Sequence, residues 1–95
     1  MNWQVIYHPD VAIDLRAIGQ AEARIILGVI NKRIKLGEPD KLGKALTGSL
    51  AGYRRIRTGS TRIVYRVNTQ TIEVLIVAVG RRRDEEVYAD AEKRV

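Results

Sequence analysis

Residues 52–66, GYRRIRTGSTRIVYR, hold five arginines (Arg54, Arg55, Arg57, Arg62 and Arg66) and no acid. Arginine is a planar, permanently charged donor that grips a phosphate through two parallel hydrogen bonds. A cluster of such groups can hold a phosphodiester and stabilise a phosphorane-like transition state. One well-placed donor is worth on the order of 2–4 kcal/mol of barrier. An RNA strand brings its own nucleophile, the 2′-hydroxyl. A protein acting on it needs only to orient that group, remove a proton and neutralise charge. Tyr88 is a candidate proton acceptor or a stacking surface for a base. A plain packing role, joining a helix to a sheet with its hydroxyl at the rim, stays open for it.

Other chemistries have few residues to work with. The chain has one histidine and no cysteine, which leaves no thiolate metal site, no cysteine nucleophile and no disulfide framework. No metal or cofactor is implied. Asp84, Glu85 and Glu86 read as first-turn helix residues, favoured by the positive dipole end. His8 reads as a turn or helix-capping residue. Neither Ser49 nor Ser60 sits in a nucleophile elbow. The glycines of GEPDKLGKALTG lack the spacing of a phosphate-binding loop.

The arginine stretch also reads as a β-hairpin. Gly59-Ser60 is turn chemistry, and alternating β-branched and aromatic residues flank it. In a strand, side chains two apart share a face. Tyr53, Arg55 and Arg57 therefore point one way. On the next strand Arg62, Val64 and Arg66 point one way, and Ile63, Tyr65 and Val67 the other. With the apolar set on the core, the arginines face out as a platform of up to four guanidinium groups. Like charges that close destabilise a sheet unless an anion is to sit there.

The remaining elements frame this hairpin. Residues 2–7 alternate as a half-buried edge strand. Val11, Ala12, Leu15 and Ile18 fall at helical spacing, with Gly19 as a C-terminal cap. A second helix is predicted over residues 20–36, with Ala23, Ile26, Leu27, Ile30 and Ile34 as its buried stripe and Gly37 at its end. Lys32, Arg33 and Lys35 lie in its last turns, where the dipole favours cations, so they carry no catalytic role. Residues 38–51 are a polar connection anchored by Leu42, Leu46 and Leu50. Residues 71–79, TIEVLIVAV, are the most apolar strand in the chain, as in a central strand covered on both faces or nearly so. Asp84 caps a last helix bearing Val87, Tyr88 and Ala91 on one face. The order β-α-α-β-β-β-α predicts a single α+β domain over residues 1–95. Two N-terminal helices and a C-terminal helix pack on a mostly antiparallel sheet of three to four strands.

Seventeen Lys and Arg against eleven Asp and Glu give a net charge of +6. Ten of the basic residues and only two acids (Glu38 and Asp40) lie in residues 31–66. A one-sided basic patch favours a polyanion: nucleic acid first, an acidic protein or membrane surface second. No secretory leader and no apolar run of membrane-spanning length is visible, so a soluble cytoplasmic protein is expected.

Two motifs carry a family resemblance: L-x-G-x-x-x-G-Y-R-R-I-R-T-G-x-x-R-I-V-Y-R-V and I-x-V-L-I-V-A-V-G-R-R-x-x-x-x-V-Y-x-x-A-x-x-R. Together they resemble the RelE/ParE toxin superfamily, most closely its RelE branch. The resemblance covers essentially the whole chain and is strongest from Leu46 to Arg94. It implies a small toxin that enters the ribosomal A site and cuts mRNA there by 2′-hydroxyl attack, without metal. It also implies a cognate antitoxin that wraps and neutralises the toxin in a hetero-oligomer. The partners expected are thus that antitoxin, the ribosome with its rRNA, and mRNA, with no membrane.

Carried over residue by residue, the resemblance places Arg62 on the scissile phosphate. Arg82 follows the V-G at the end of the last strand, with Arg81 in the slot of its basic neighbour. Tyr88 stacks on a base or takes part in proton transfer. Arg55 and Arg57 match the basic residues of the first hairpin strand with a register open by one or two positions, so that Tyr53 or Arg54 can take one of those slots. Arg54, Arg57, Arg81, Lys41 and Lys44 are the further residues expected to bind RNA. One departure matters. RelE enzymes often use lysine in that first strand, and here it offers only arginine, which keeps its proton at any working pH. The base is then Tyr88, water or an rRNA group. The alternative from the same superfamily is a ParE-type inhibitor of DNA gyrase that cuts nothing. A binding module without activity is a third reading.

Overall fold

In a computed structural model the chain is described over residues 2–81 and 84–95, with the side chain of Asp84 left aside. The elements are β1 (Gln4–Tyr7), α1 (Val11–Ile18), α2 (Gln20–Val29), β2 (Lys44–Ala45), β3 (Tyr53–Thr58), β4 (Thr61–Asn68), β5 (Glu73–Gly80) and α3 (Asp84–Lys93). The strands form one sheet in the order β1-β5-β4-β3-β2. Only β1 runs parallel to its neighbour, β5. The α+β class and the mostly antiparallel sheet are as predicted, but the sheet has five strands rather than three to four. The extra strand is β2, two residues of the polar connection that pair Lys44 with Arg55 and Ala45 with Arg54. So short a segment has no alternation to read.

Helices α1 and α2 cover one face of the sheet. Ile26, Ile30 and Ile34 are fully buried there against Trp3, Ile56, Ile63, Tyr65, Val74 and Ile76. Each such isoleucine stabilises the fold by about 1.5–3 kcal/mol. The predicted stripe of the second helix holds at these three positions, but Leu27 is exposed. After Val29 the helix widens into a π-helical turn, Ile30–Lys35, which shifts the later side chains round the axis. Gly37 follows so closely that a Cβ there would collide with the Arg33 carbonyl.

Helix α3 covers part of the opposite face, where Leu50, Tyr53, Val64, Val77, Ala78, Val87 and Ala91 form a second cluster. This corrects the expectation that the arginine-bearing face is simply open. Tyr53 and Val64 share that face with the arginines, and both are buried beneath α3. A bulge on β5 serves this packing. The register slips between Val64 and Tyr65, so Val77 is the extra residue and joins Ala78 under the helix.

Beyond residue 76, β1 no longer runs beside β5. Two side chains take over its hydrogen bonding. Val79 N–H donates to Asp14 Oδ2 (2.9 Å) and Arg94 Nη1 donates to Val77 O (3.0 Å). Arg94 also forms a two-pronged pair with Asp14, at 2.6 and 2.9 Å. The pair ties α1, β5 and the end of α3 together.

Candidate nucleic-acid interface

The β3–β4 hairpin turns through Gly59-Ser60 with a positive φ at Gly59 (59°). A two-residue loop with glycine first is the pattern whose twist matches the flanking strands. The turn fixes the register: Tyr53 opposite Arg66, Arg55 opposite Val64, Arg57 opposite Arg62. Directly opposed residues project to the same side. Arg55, Arg57, Arg62 and Arg66 therefore share the α3 face, as the alternation predicts, around the margin of the helix.

The contacts divide these arginines. Arg55 Nε donates to Tyr88 Oη (3.2 Å), joining β3 to α3. Lys44 of β2 stands opposite Arg55 on the same face. Arg62 Nη1 donates to the carbonyl of Ser60 (2.9 Å), folding over its own turn. Arg62 also lies opposite Gly80, which sets Arg81 one residue beyond it. Arg66 lies over the Tyr53 ring at 6.0 Å. The structure thus gathers Arg55, Arg57, Arg62, Lys44 and Tyr88 on one side, whereas Arg81, at the end of β5, lines a pocket with Asp14, Ala17 and Ile18 of α1 and Val87 and Asp90 of α3. Arg82 lies outside the described residues.

Two more of the expected RNA-binding residues are elsewhere. Arg54 projects to the α1–α2 side, where its Nε donates to Leu42 O (2.7 Å) and its Nη2 to Gly43 O (3.4 Å). Nearby, the buried Tyr65 hydroxyl donates to Pro39 O (2.8 Å). Burial pushes the Tyr65 phenol above its ordinary value, and the Arg54 guanidinium pulls it partly back. Lys41 is exposed in the loop before β2 and pairs with Glu38 at 3.5 Å. Arg33, from the π-helical turn, reaches the carbonyl of Arg57 (3.4 Å).

Sequence reasoning missed the wall that faces Tyr88. A cleft of about 190 Å³ lies between its ring and the segment from β2 to a short 3-10 turn, Gly48–Leu50, lined by Lys44, Ala45, Leu46, Thr47 and Leu50. Ser49 in that turn is hydrogen-bonded to Glu92 of α3. The only signal was the leucine spacing, which marked Leu46 and Leu50 as anchors and not as a surface. A larger groove, about 360 Å³, runs along β1 and α2 and carries one cation, Lys35, among its lining residues. Among the described residues no three His, Asp or Glu side chains converge as metal ligands, and no helix is long and apolar enough to cross a membrane.

Solved structures share this fold. The toxin–antitoxin complex RelBE2 from Mycobacterium tuberculosis contains a chain with a TM-score of 0.79 and 24% identity, covering 86% of this chain and 100% of that one. A mutant E. coli toxin RelE in the free state gives 0.78 and 22%, covering 100% of this chain and 99% of that one. The isolated E. coli RelE toxin gives 0.57 and 20%, with 97% of each chain covered. No curated protein matches the sequence. The profile described as the ParE toxin of the type II toxin-antitoxin system parDE matches residues 5–86. The chain therefore belongs to the ParE toxin family of type II toxin–antitoxin systems, within the RelE/ParE superfamily.

Proposed function

We propose that this toxin is a ribosome-dependent, metal-independent endoribonuclease that cuts mRNA in the ribosomal A site. A cognate antitoxin would neutralise it, as the RelBE2 complex suggests by its own composition. The observation that carries the reading is the Arg55–Tyr88 contact beside the opposed Arg57 and Arg62. It supplies fixed positive charge and an oriented phenol on one surface.

In this reading Arg62 and Arg57 hold the scissile phosphate. The 2′-oxygen attacks phosphorus, the bond to the 5′-oxygen breaks, and a 2′,3′-cyclic phosphate and a 5′-hydroxyl result. Negative charge gathers on the phosphoryl oxygens as this happens, and the guanidinium groups lie where they stabilise it. The Tyr88 oxygen accepts from Arg55, so its own O–H is left to donate, which suits protonation of the leaving 5′-oxygen. Arginine cannot take the 2′-proton, which passes to water or an rRNA group.

Induced expression of the chain is expected to arrest growth. Primer extension should show cuts within translated codons. Arg62→Ala, Arg82→Ala and Tyr88→Phe should each relieve the arrest with circular dichroism unchanged. The site assignment fails if all three remain fully toxic. The match to a ParE profile favours one second reading, inhibition of DNA gyrase without cleavage. Loss of gyrase supercoiling activity with intact mRNA would establish it instead.

A further inference from the structure

We infer that Arg33 is a positioning residue for Arg57: from the π-helical turn it holds the end of β3 from outside the sheet and so keeps Arg57 level with Arg62. The inference rests on the nuclease reading for its consequence, and on separate observations for the contact itself.

The end of this hairpin calls for an outside hold. Arg57 and Arg62 stand directly opposite each other, and like charges so placed push a strand pair apart. Strand β2 gives no support there, because its pairing with β3 runs through Arg54 and Arg55 and stops short of Arg57. One contact further back shows which way the backbone faces. Tyr53 O accepts from Leu46 N–H (2.9 Å), so the carbonyl of Tyr53 points away from β4. Backbone groups two residues apart face the same edge of an antiparallel strand. The carbonyl of Arg57 therefore faces that outer edge too, past the end of β2. Arg33 Nη1 donates to it at 3.4 Å.

The helix dipole accounts for a cation in the last turn of the second helix. It does not account for a guanidinium that leaves that turn for a strand 24 residues further on. The turn is a firm base for such a reach. Ile30 and Ile34 are buried on either side of Arg33 in the chain. Trp3 N–H donates to the carbonyl of Lys35 (2.9 Å), and Leu36 N–H donates to that of Asn31 (3.0 Å). Turns of this wide kind are rare and gather at functional sites. Arg33 touches no reacting atom in this arrangement and acts through Arg57. Displacing a phosphate-holding group by about 1 Å is enough to slow a reaction on the order of 10²-fold.

The test uses the full chain and ribosomes carrying a defined mRNA. Arg33→Met should lower the single-turnover cleavage rate about tenfold and leave the ribosome concentration for half-maximal rate unchanged. Arg33→Lys keeps a donor within reach and should recover most of the rate. Arg33 is exposed, so the urea midpoint of both variants should stay at that of the unsubstituted chain. In the free, ¹⁵N-labelled protein, Arg33→Met should speed hydrogen exchange at the amides of Thr58 and Thr61, the last pair before the turn. A raised half-maximal concentration with the rate kept would make Arg33 a plain phosphate contact and overturn the inference. Unchanged exchange at the hairpin end would overturn it as well. Faster exchange in a chain that cuts no ribosome-bound mRNA would uphold the hold on Arg57 and remove the nuclease reading.

Discussion

The two halves of α3 use arginine in different ways. Near its end, Arg94 is almost enclosed, with its side chain 11% exposed, and it meets a carboxylate, Asp14, that is 9% exposed. Its donors are spent on Asp14 and on a backbone carbonyl. One and a half turns earlier, Tyr88 offers Arg55 a neutral oxygen, at 3.2 Å, beside an open cleft. Desolvation is the difference. A guanidinium removed from water must be matched by an anion, whereas one at a rim, still in reach of water, can be met by a neutral oxygen. The first arrangement fixes the end of the helix to α1 and β5, and the second joins its first half to β3.

The strongest way to break this contrast is to cut the buried pair. Arg94→Ala leaves Asp14 buried without its counter-ion and should destabilise the chain by about 3–5 kcal/mol, measured as the urea unfolding free energy. The double substitution Asp14→Leu with Arg94→Met removes both charges and should recover part of that loss. A loss below about 1 kcal/mol for Arg94→Ala would make the two halves of α3 equivalent. At the rim the order of effects reverses. Arg62→Ala should move stability by no more than about 0.5 kcal/mol while lowering cleavage on the order of 10²–10³-fold. A fall in stability as large as that of Arg94→Ala would make Arg62 a structural residue.

How much of this was legible depended on the range of the interaction. The hairpin register followed from a two-residue turn and alternating side chains, and the opposition of Arg57 and Arg62 came with it. The apolar run of residues 71–79 announced an interior strand, and β5 is one. Alternation failed where both faces of a strand are covered. Val64 was placed outside with the arginines because Ile63 and Tyr65 filled the only core then in view. Arg54 shows the converse error: it lies on the helix-covered side yet finds carbonyls at Leu42 and Gly43 within reach of its long stem. The Asp14–Arg94 pair was not legible, because its two residues lie 80 positions apart in the chain. The five-strand count was hidden in Lys44–Ala45, too short to carry a pattern.

A smaller perturbation sharpens the contrast from the β2 side. Gly43 has a φ of +66°, and a Cβ there would collide with the carbonyl of Arg55 and the Ile56 side chain. Gly43→Ala adds left-handed strain of about 1–2 kcal/mol and pushes β2 off β3. Its expected signature is a modest loss of stability together with lost toxicity, because Lys44 and Arg55 separate. Toxicity equal to that of the unsubstituted chain would show that β2 does not position the site.

The least effect is expected at Tyr65, which props the loop before β2 from the closed side of the sheet. Tyr65→Phe keeps the ring and removes the hydrogen bond to Pro39, at a cost of about 0.5–1.5 kcal/mol. Its pH dependence identifies the source. Burial raises the folded pKa of Tyr65 above the unfolded value of about 10. Below that value the phenol is neutral in both states and its contribution is complete. Above it the unfolded chain ionises first, so stability falls as pH climbs toward the folded pKa. The urea midpoint should therefore drop between about pH 9 and about pH 11, and drop less in Tyr65→Phe. Tyr7, whose phenol is also raised by burial, keeps part of the slope in the variant. An unchanged slope would assign the alkaline loss to other groups.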